Sequence, residues 1–111
     1  MAEFPRKLKL IYSANSIDDL GEIWDWNAAQ HGEMHANQYL EFLKKHTLRI
    51  VESKNPGKEV PTRDSFRYLV IKRRNRGYGH IIIFQIEEES MLILHYYHTA
   101  QDWQTKIDKE K

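Results

Sequence analysis

The chain has 111 residues, 17 Lys and Arg against 16 Asp and Glu, and no Cys. This length fits one domain, residues 1–111 with a core from about 7 to 103, able to bury roughly 65% of its unfolded surface. The lack of Cys excludes disulfides, thiol chemistry and Cys-bound zinc. No apolar run approaches the ~20 residues of a membrane span and no signal peptide precedes the first strand, so a cytoplasmic protein without a membrane partner is expected.

Lys7 to Tyr12 reads as a short strand, with Leu8, Leu10 and Tyr12 alternating against Lys7, Lys9 and Ile11. Ser16-Ile17-Asp18-Asp19 follows. A Ser with an acid three residues on is a variant of the capping box, and early acids suit the helix dipole. The first helix is expected from Ser16 to about Gln30, with Ile17, Leu20, Trp24 and Ala28 at helical spacing and Asp18, Glu22 and Asp25 on an acidic face. His31-Gly32 breaks it. The second helix, about Met34 to Ser53, keeps Ala36, Tyr39, Leu40, Leu43, Thr47, Ile50 and Val51 in register over four turns. Asn55-Pro56-Gly57 ends it.

A loop from Lys58 to Ser65 leads into three strands: Phe66 to Arg73, Gly79 to Ile86 and Met91 to Tyr97. Ile81-Ile82-Ile83-Phe84 and Met91-Leu92-Ile93-Leu94 are apolar on both faces, so both strands are expected to be covered on both sides. The tail after Trp103 is expected to fray or to add a helical turn. The fold class is α+β in the order β-α-α-β-β-β, a helical hairpin packed on a small, mainly antiparallel sheet.

The charge is segregated. From Arg63 to His80 there are six bases (Arg63, Arg67, Lys72, Arg73, Arg74 and Arg76) against the single acid Asp64. Such a block grips a phosphate backbone or an acidic partner. The plainer reading is a solvated hairpin turn whose charges discourage edge pairing. Alternation sets Lys72 and Arg74 opposite Arg73. Arg63 sits in a loop and is either a base reaching into a site or ordinary surface.

At the end of the last strand, alternation groups His95 with Tyr97 and Tyr96 with His98. An imidazole beside a phenol can do acid–base work near pH 7, but core-edge packing accounts for the same residues, and no catalytic residue is assignable. His31 and His35 have i, i+4 spacing without the zinc-protease pattern, because Glu33 is displaced and Gly32 weakens the helix. A loop between helices is the plainer account. Neither metal nor cofactor is expected.

Taken together, Tyr12-Ser13-Ala14, Asp19-Leu20-Gly21-Glu22-Ile23, Ala36, Tyr39-Leu40, Phe66-Arg67-Tyr68, Gly79-His80-Ile81-Ile82-Ile83-Phe84, and Leu92-Ile93-Leu94 before His98 and Asp102 resemble the RelE/ParE superfamily of type II toxin–antitoxin modules. His80 and the His98-x-x-x-Asp102-Trp103 ending place the resemblance on the ParE side. It implies a RelE/ParE-like fold and a toxin of a plasmid-stabilising or addiction module. Such a toxin inhibits growth by binding DNA gyrase and is neutralised by a cognate antitoxin. The alternatives are a RelE-like ribosome-dependent mRNA endonuclease and an inactive antitoxin-binding module. The ribosome-dependent relatives place an Arg just after the last strand, where this chain has Gln101. An amide stabilises a scissile phosphate less well than a guanidinium, and the expectation tilts to the non-hydrolytic type. The target-binding candidates are Arg63, Lys72, Arg73, Arg74, Arg76, His80 and His98, and the antitoxin-binding candidates are Trp26 and Tyr39.

Overall fold

A computed structural model describes residues 8–52, 57–73 and 79–108. The elements in chain order are β1 (Lys9–Tyr12), α1 (Ala14–His31), α2 (Glu33–Val51), β2 (Lys58–Val60), β3 (Arg63–Ile71), β4 (His80–Ile86), β5 (Ser90–His98) and α3 (Trp103–Asp108). The five strands form one sheet in the order β1-β5-β4-β3-β2. β1 runs parallel to β5, and the other neighbours are antiparallel. The two apolar runs therefore occupy the interior of the sheet, with β4 at its centre, as their composition requires.

The α1–α2 hairpin covers one face. Leu20, Leu43, Ile50 and Val51 pack there against Ile71, Ile82, Phe84, Met91, Ile93 and Tyr96. The other face carries Val60, Ile81, Ile83 and Tyr97, closed over by Ile107 of α3. Alternation along β4 divides Ile82 and Phe84 from Ile81 and Ile83. A bulge in β5 then resets its parity. Ile83 pairs with His95 and Phe84 with Ile93, so Leu94 is the extra residue. Tyr96 thereby joins Met91 and Ile93 under the helices. Its hydroxyl meets Thr47 Oγ1 at 2.7 Å, and burial pushes the phenol pKa up.

Several boundaries differ from the sequence reading, and β3 starts at Arg63, which was expected in the loop, rather than at Phe66. Lys58–Val60, expected as loop, adds an edge strand to β3. Of the two outcomes expected for the tail, the helical one is found, as the six-residue helix α3. The cap of α1 is Ser13, not Ser16: Ser13 Oγ accepts the Ser16 N–H, and Ser16 Oγ donates to the Ser13 carbonyl. The reason is that Ser13 still belongs to the sheet. Its N–H donates to the Ile93 carbonyl and its hydroxyl to that of Leu94, so the helix must start at once. Asp19 is then free for a different task. Its Oδ2 accepts the Tyr96 N–H at 3.0 Å and lies 2.9 Å from His95 Nδ1, satisfying the β5 edge where β1 has ended.

Gly32 makes the corner between the helices. Its φ of 93° is a left-handed value that residues with a side chain rarely adopt. Across the corner Trp24 Nε1 donates to Asn37 Oδ1 at 2.8 Å and holds the two helices together.

Candidate functional site

The polar groups of the sheet gather where β3 ends, β4 begins and β5 ends. His80 opens β4 and pairs directly with His98, the last residue of β5. Their rings meet edge to face with centroids 5.3 Å apart. Gly79, just before His80, permits a close approach of chains: a Cβ there would lie 2.1 Å from the Ile71 carbonyl oxygen. Thr99 clamps this junction, its hydroxyl accepting the Gly79 N–H and its own N–H donating to the Gly79 carbonyl, both at 3.0 Å.

From above, α2 lowers Tyr39 onto His80. The phenol oxygen lies 2.6 Å from His80 Nδ1. Burial raises the Tyr39 pKa to about 12, against the opposing charge of Arg73. Burial, reinforced by the charge of a protonated His98, lowers that of His80 to about 4. At neutral pH both groups are uncharged. A neutral phenol and a neutral imidazole share one hydrogen bond here, whichever of the two carries the bridging proton. His98 Nδ1 accepts the Ala100 N–H at 3.0 Å. The Tyr39–His80 pair is thus held by neutral hydrogen bonding rather than by buried charge.

Phe42 and His46 continue the α2 row beyond Tyr39, with ring centroids 5.6 Å apart for Tyr39–Phe42 and 4.6 Å for Phe42–His46. The Arg73 guanidinium stands 5.8 Å from the Phe42 ring centre, a cation–π approach at the rim. Lys72 and Arg73 are exposed. An edge of exposed cations beside neutral donors and aromatic rings suits a partner with acceptor oxygens and flat apolar groups.

The chain belongs to the ParE toxin family. The family model for the ParE toxin of type II toxin–antitoxin systems, parDE, matches residues 10–103. Among solved structures, a chain of the chromosomal ParDE toxin–antitoxin system from P. aeruginosa is similar, with a TM-score of 0.70 and 15% identity over 82% of this chain and 95% of that one. At that identity the likeness concerns the fold. No curated protein matches the sequence.

Against this ParE-type framework the expected site residues separate. Lys72, Arg73, His80 and His98 come to one end of the sheet, and Tyr39, expected at an antitoxin contact, joins them through His80. Arg74 and Arg76 lie outside the described residues. Arg63 goes to the opposite face, where Nη1 donates to the Ile107 carbonyl at 2.8 Å and the guanidinium covers Phe66. Trp26 stays exposed on α1, edge-on to His31.

The ending His98-x-x-x-Asp102-Trp103 has a structural explanation. Gln101 Oε1 accepts the His98 N–H at 2.8 Å, Asp102 accepts from the Thr105 hydroxyl at the start of α3, and Trp103 packs on Tyr68. Phe42 and His46 escaped the sequence reading, although their i, i+4 spacing continues the row of Tyr39. A second feature also escaped it. Tyr12, Ile17, Leu20, Gly21, Leu40 and Lys44 line a shallow, mainly apolar groove of about 350 Å³ between the helices. Among the described residues no helix is long and apolar enough to cross a membrane.

Proposed function

We propose that this type II toxin arrests growth by binding DNA gyrase through the Tyr39–His80–His98–Arg73 end of the sheet, and that a cognate antitoxin neutralises it. The observation that carries this reading is the ParE family match over residues 10–103. The geometry agrees with a binding role. His80 is uncharged and buried, and the side chain that follows β5, Gln101, is turned back onto the His98 N–H. A binding surface needs shape and donors, which this end supplies. Phosphodiester cleavage needs charge placed to stabilise the transition state, and position 101 brings none.

The antitoxin contact is assigned to the groove between α1 and α2. Ile17 on its rim is 57% exposed, and an amphipathic helix laid there would bury it with Leu20 and Leu40. Tyr39 and Trp26 lie outside this lining.

One observation favours a second reading, ribosome-dependent mRNA cleavage. Two imidazoles and a phenol within one cluster can transfer protons. The two readings part in one pair of assays with purified protein. Inhibition of gyrase supercoiling without cleavage of mRNA on programmed ribosomes is the expected outcome, and cleavage without gyrase inhibition overturns it.

A further inference from the structure

The C-terminal half of α2 carries a charged flank apart from the groove between the helices. From Phe42 to Val51 the helix has the bases Lys44, Lys45 and Arg49 and no acid, with Glu41 and Glu52 at the two ends of the run. Phe42, Lys45, His46 and Arg49 follow i, i+3, i+4, i+7 spacing and so share one flank, whereas Lys44 turns to the groove. The rings on this flank are held by the helix itself. His46 Nδ1 donates to the Phe42 carbonyl at 3.2 Å, and the planes of the two rings are inclined at 55°. The end of β3 adds Arg73, whose guanidinium stands over Phe42. Lys45, Arg49 and Arg73 are exposed, and among the described residues none of them is held in an ion pair. Their charge is therefore available to a partner.

Such a flank matches a polyanion. From Phe42 to Arg49 the helix rises about 10 Å, at ~1.5 Å per residue. Over that length a DNA duplex presents about six negative charges, one per ~1.7 Å of its axis. The rings decide which polyanion fits. Phe42 and His46 are half-buried against one another and Arg73 stands over Phe42, so they offer little open face for stacking an unpaired base. A membrane surface calls for apolar side chains that insert, and the exposed Leu48 lies off this flank. A duplex keeps its bases inside and shows its phosphates, which needs only the exposed cations. We infer that the α2 flank formed by Phe42, Lys45, His46 and Arg49, together with Arg73, docks the phosphate backbone of duplex DNA. The inference deepens the gyrase reading and, for its cellular setting, rests on it: the toxin also touches the DNA on which gyrase works.

The experiment uses the full chain and a short fluorescein-labelled DNA duplex of mixed sequence, with no gyrase present. Fluorescence anisotropy is expected to show saturable binding that weakens with salt, log K falling against log salt with a slope of about −3 for three phosphate contacts. Lys45→Ala combined with Arg49→Ala should weaken binding roughly tenfold or more at low salt and bring the slope to about −1. Lys106→Ala, on α3, should change neither. All three positions are exposed, so circular dichroism should show a normal fold and any lost binding reports the surface itself. Absence of saturable binding to the duplex overturns the inference. So does binding that the double substitution leaves intact, tighter binding to a single strand of the same length, or binding to vesicles of anionic lipid in preference to the duplex. Lys45 and Arg49 form no part of the gyrase contact proposed above. A chain that inhibits supercoiling without binding the duplex therefore sinks this inference alone, and one that binds the duplex without inhibiting gyrase sinks only the gyrase reading.

Discussion

Two regions of the sheet use the same pairing of arginine with an aromatic ring and reach opposite results. On the α3 side, the Arg63 guanidinium covers Phe66 at 4.5 Å and also donates to the Ile107 carbonyl. Its hydrogen-bonding capacity goes into fastening a helix, and the face beneath is closed by fully buried Ile107. On the α1–α2 side, Arg73 stands over Phe42 at the rim, beside neutral His80 and Tyr39. The comparison teaches that a basic residue near a ring is not a site by itself. What matters is whether the fold consumes its donors.

The largest expected effect tests the sealed parts. Phe84 is fully buried beneath the helices, and Phe84→Ala should lower stability by about 3–5 kcal/mol. Ile107 is equally buried, but it belongs to a six-residue helix at the margin of the sheet. Ile107→Ala should cost less, about 2 kcal/mol, because the short helix can detach locally. Chemical denaturation of both variants measures the contrast. Equal losses would mean that α3 is as integral as the α1–α2 face.

The next effect belongs to the polar end. The pKa of His80 falls from 6.5 to about 4 on folding, so between these values the unfolded chain binds a proton that the folded chain refuses. Stability therefore falls as the pH drops through that window, by up to roughly 3 kcal/mol, and this contribution is complete above it. Melting curves across this range should show the slope in the wild-type chain. His80→Gln should flatten it, whereas a slope unchanged by that substitution would show that His80 is not the group that refuses the proton.

The smallest effect on stability should accompany the largest on function. Arg73 is exposed, and a combined Arg73→Ala, Arg74→Ala variant should change stability by about 0.5 kcal/mol or less. Growth arrest should be lost while antitoxin binding persists. Expression in a sensitive host, with a pull-down by the product of the neighbouring gene, measures both. If the variant folds, binds and still arrests growth, the basic turn is a solvated loop and the site lies elsewhere.

Much of the fold was legible because its signals are local. The 3.6-residue period of α2 and the doubly apolar run Ile81–Phe84 each state their own burial, and β4 is the central strand accordingly. The short β2 was not legible, since three residues carry too little pattern and its pairing partner is set by β3. The site was legible in part. His80 and His98 stood out as imidazoles at strand ends, and direct pairing of the two strands unites them. Arg63 was expected in a loop but opens β3, and its bond to the Ile107 carbonyl depends on where α3 docks, which no local pattern states.

The amino-acid sequence by itself determined the types of the longer elements, the doubly covered interior of the sheet and the position of the basic block, because periodicity and charge are properties of neighbouring residues. Tertiary structure alone decided three things. The bulge at Leu94 sent Tyr96 rather than His95 under the helices. The early cap at Ser13 released Asp19 to the β5 edge. The docking of α2 brought Tyr39 to His80 across a sequence separation of 41 residues. Each depends on where two distant segments meet, and the free energy of that meeting comes from burial shared by the whole chain rather than from any local pattern.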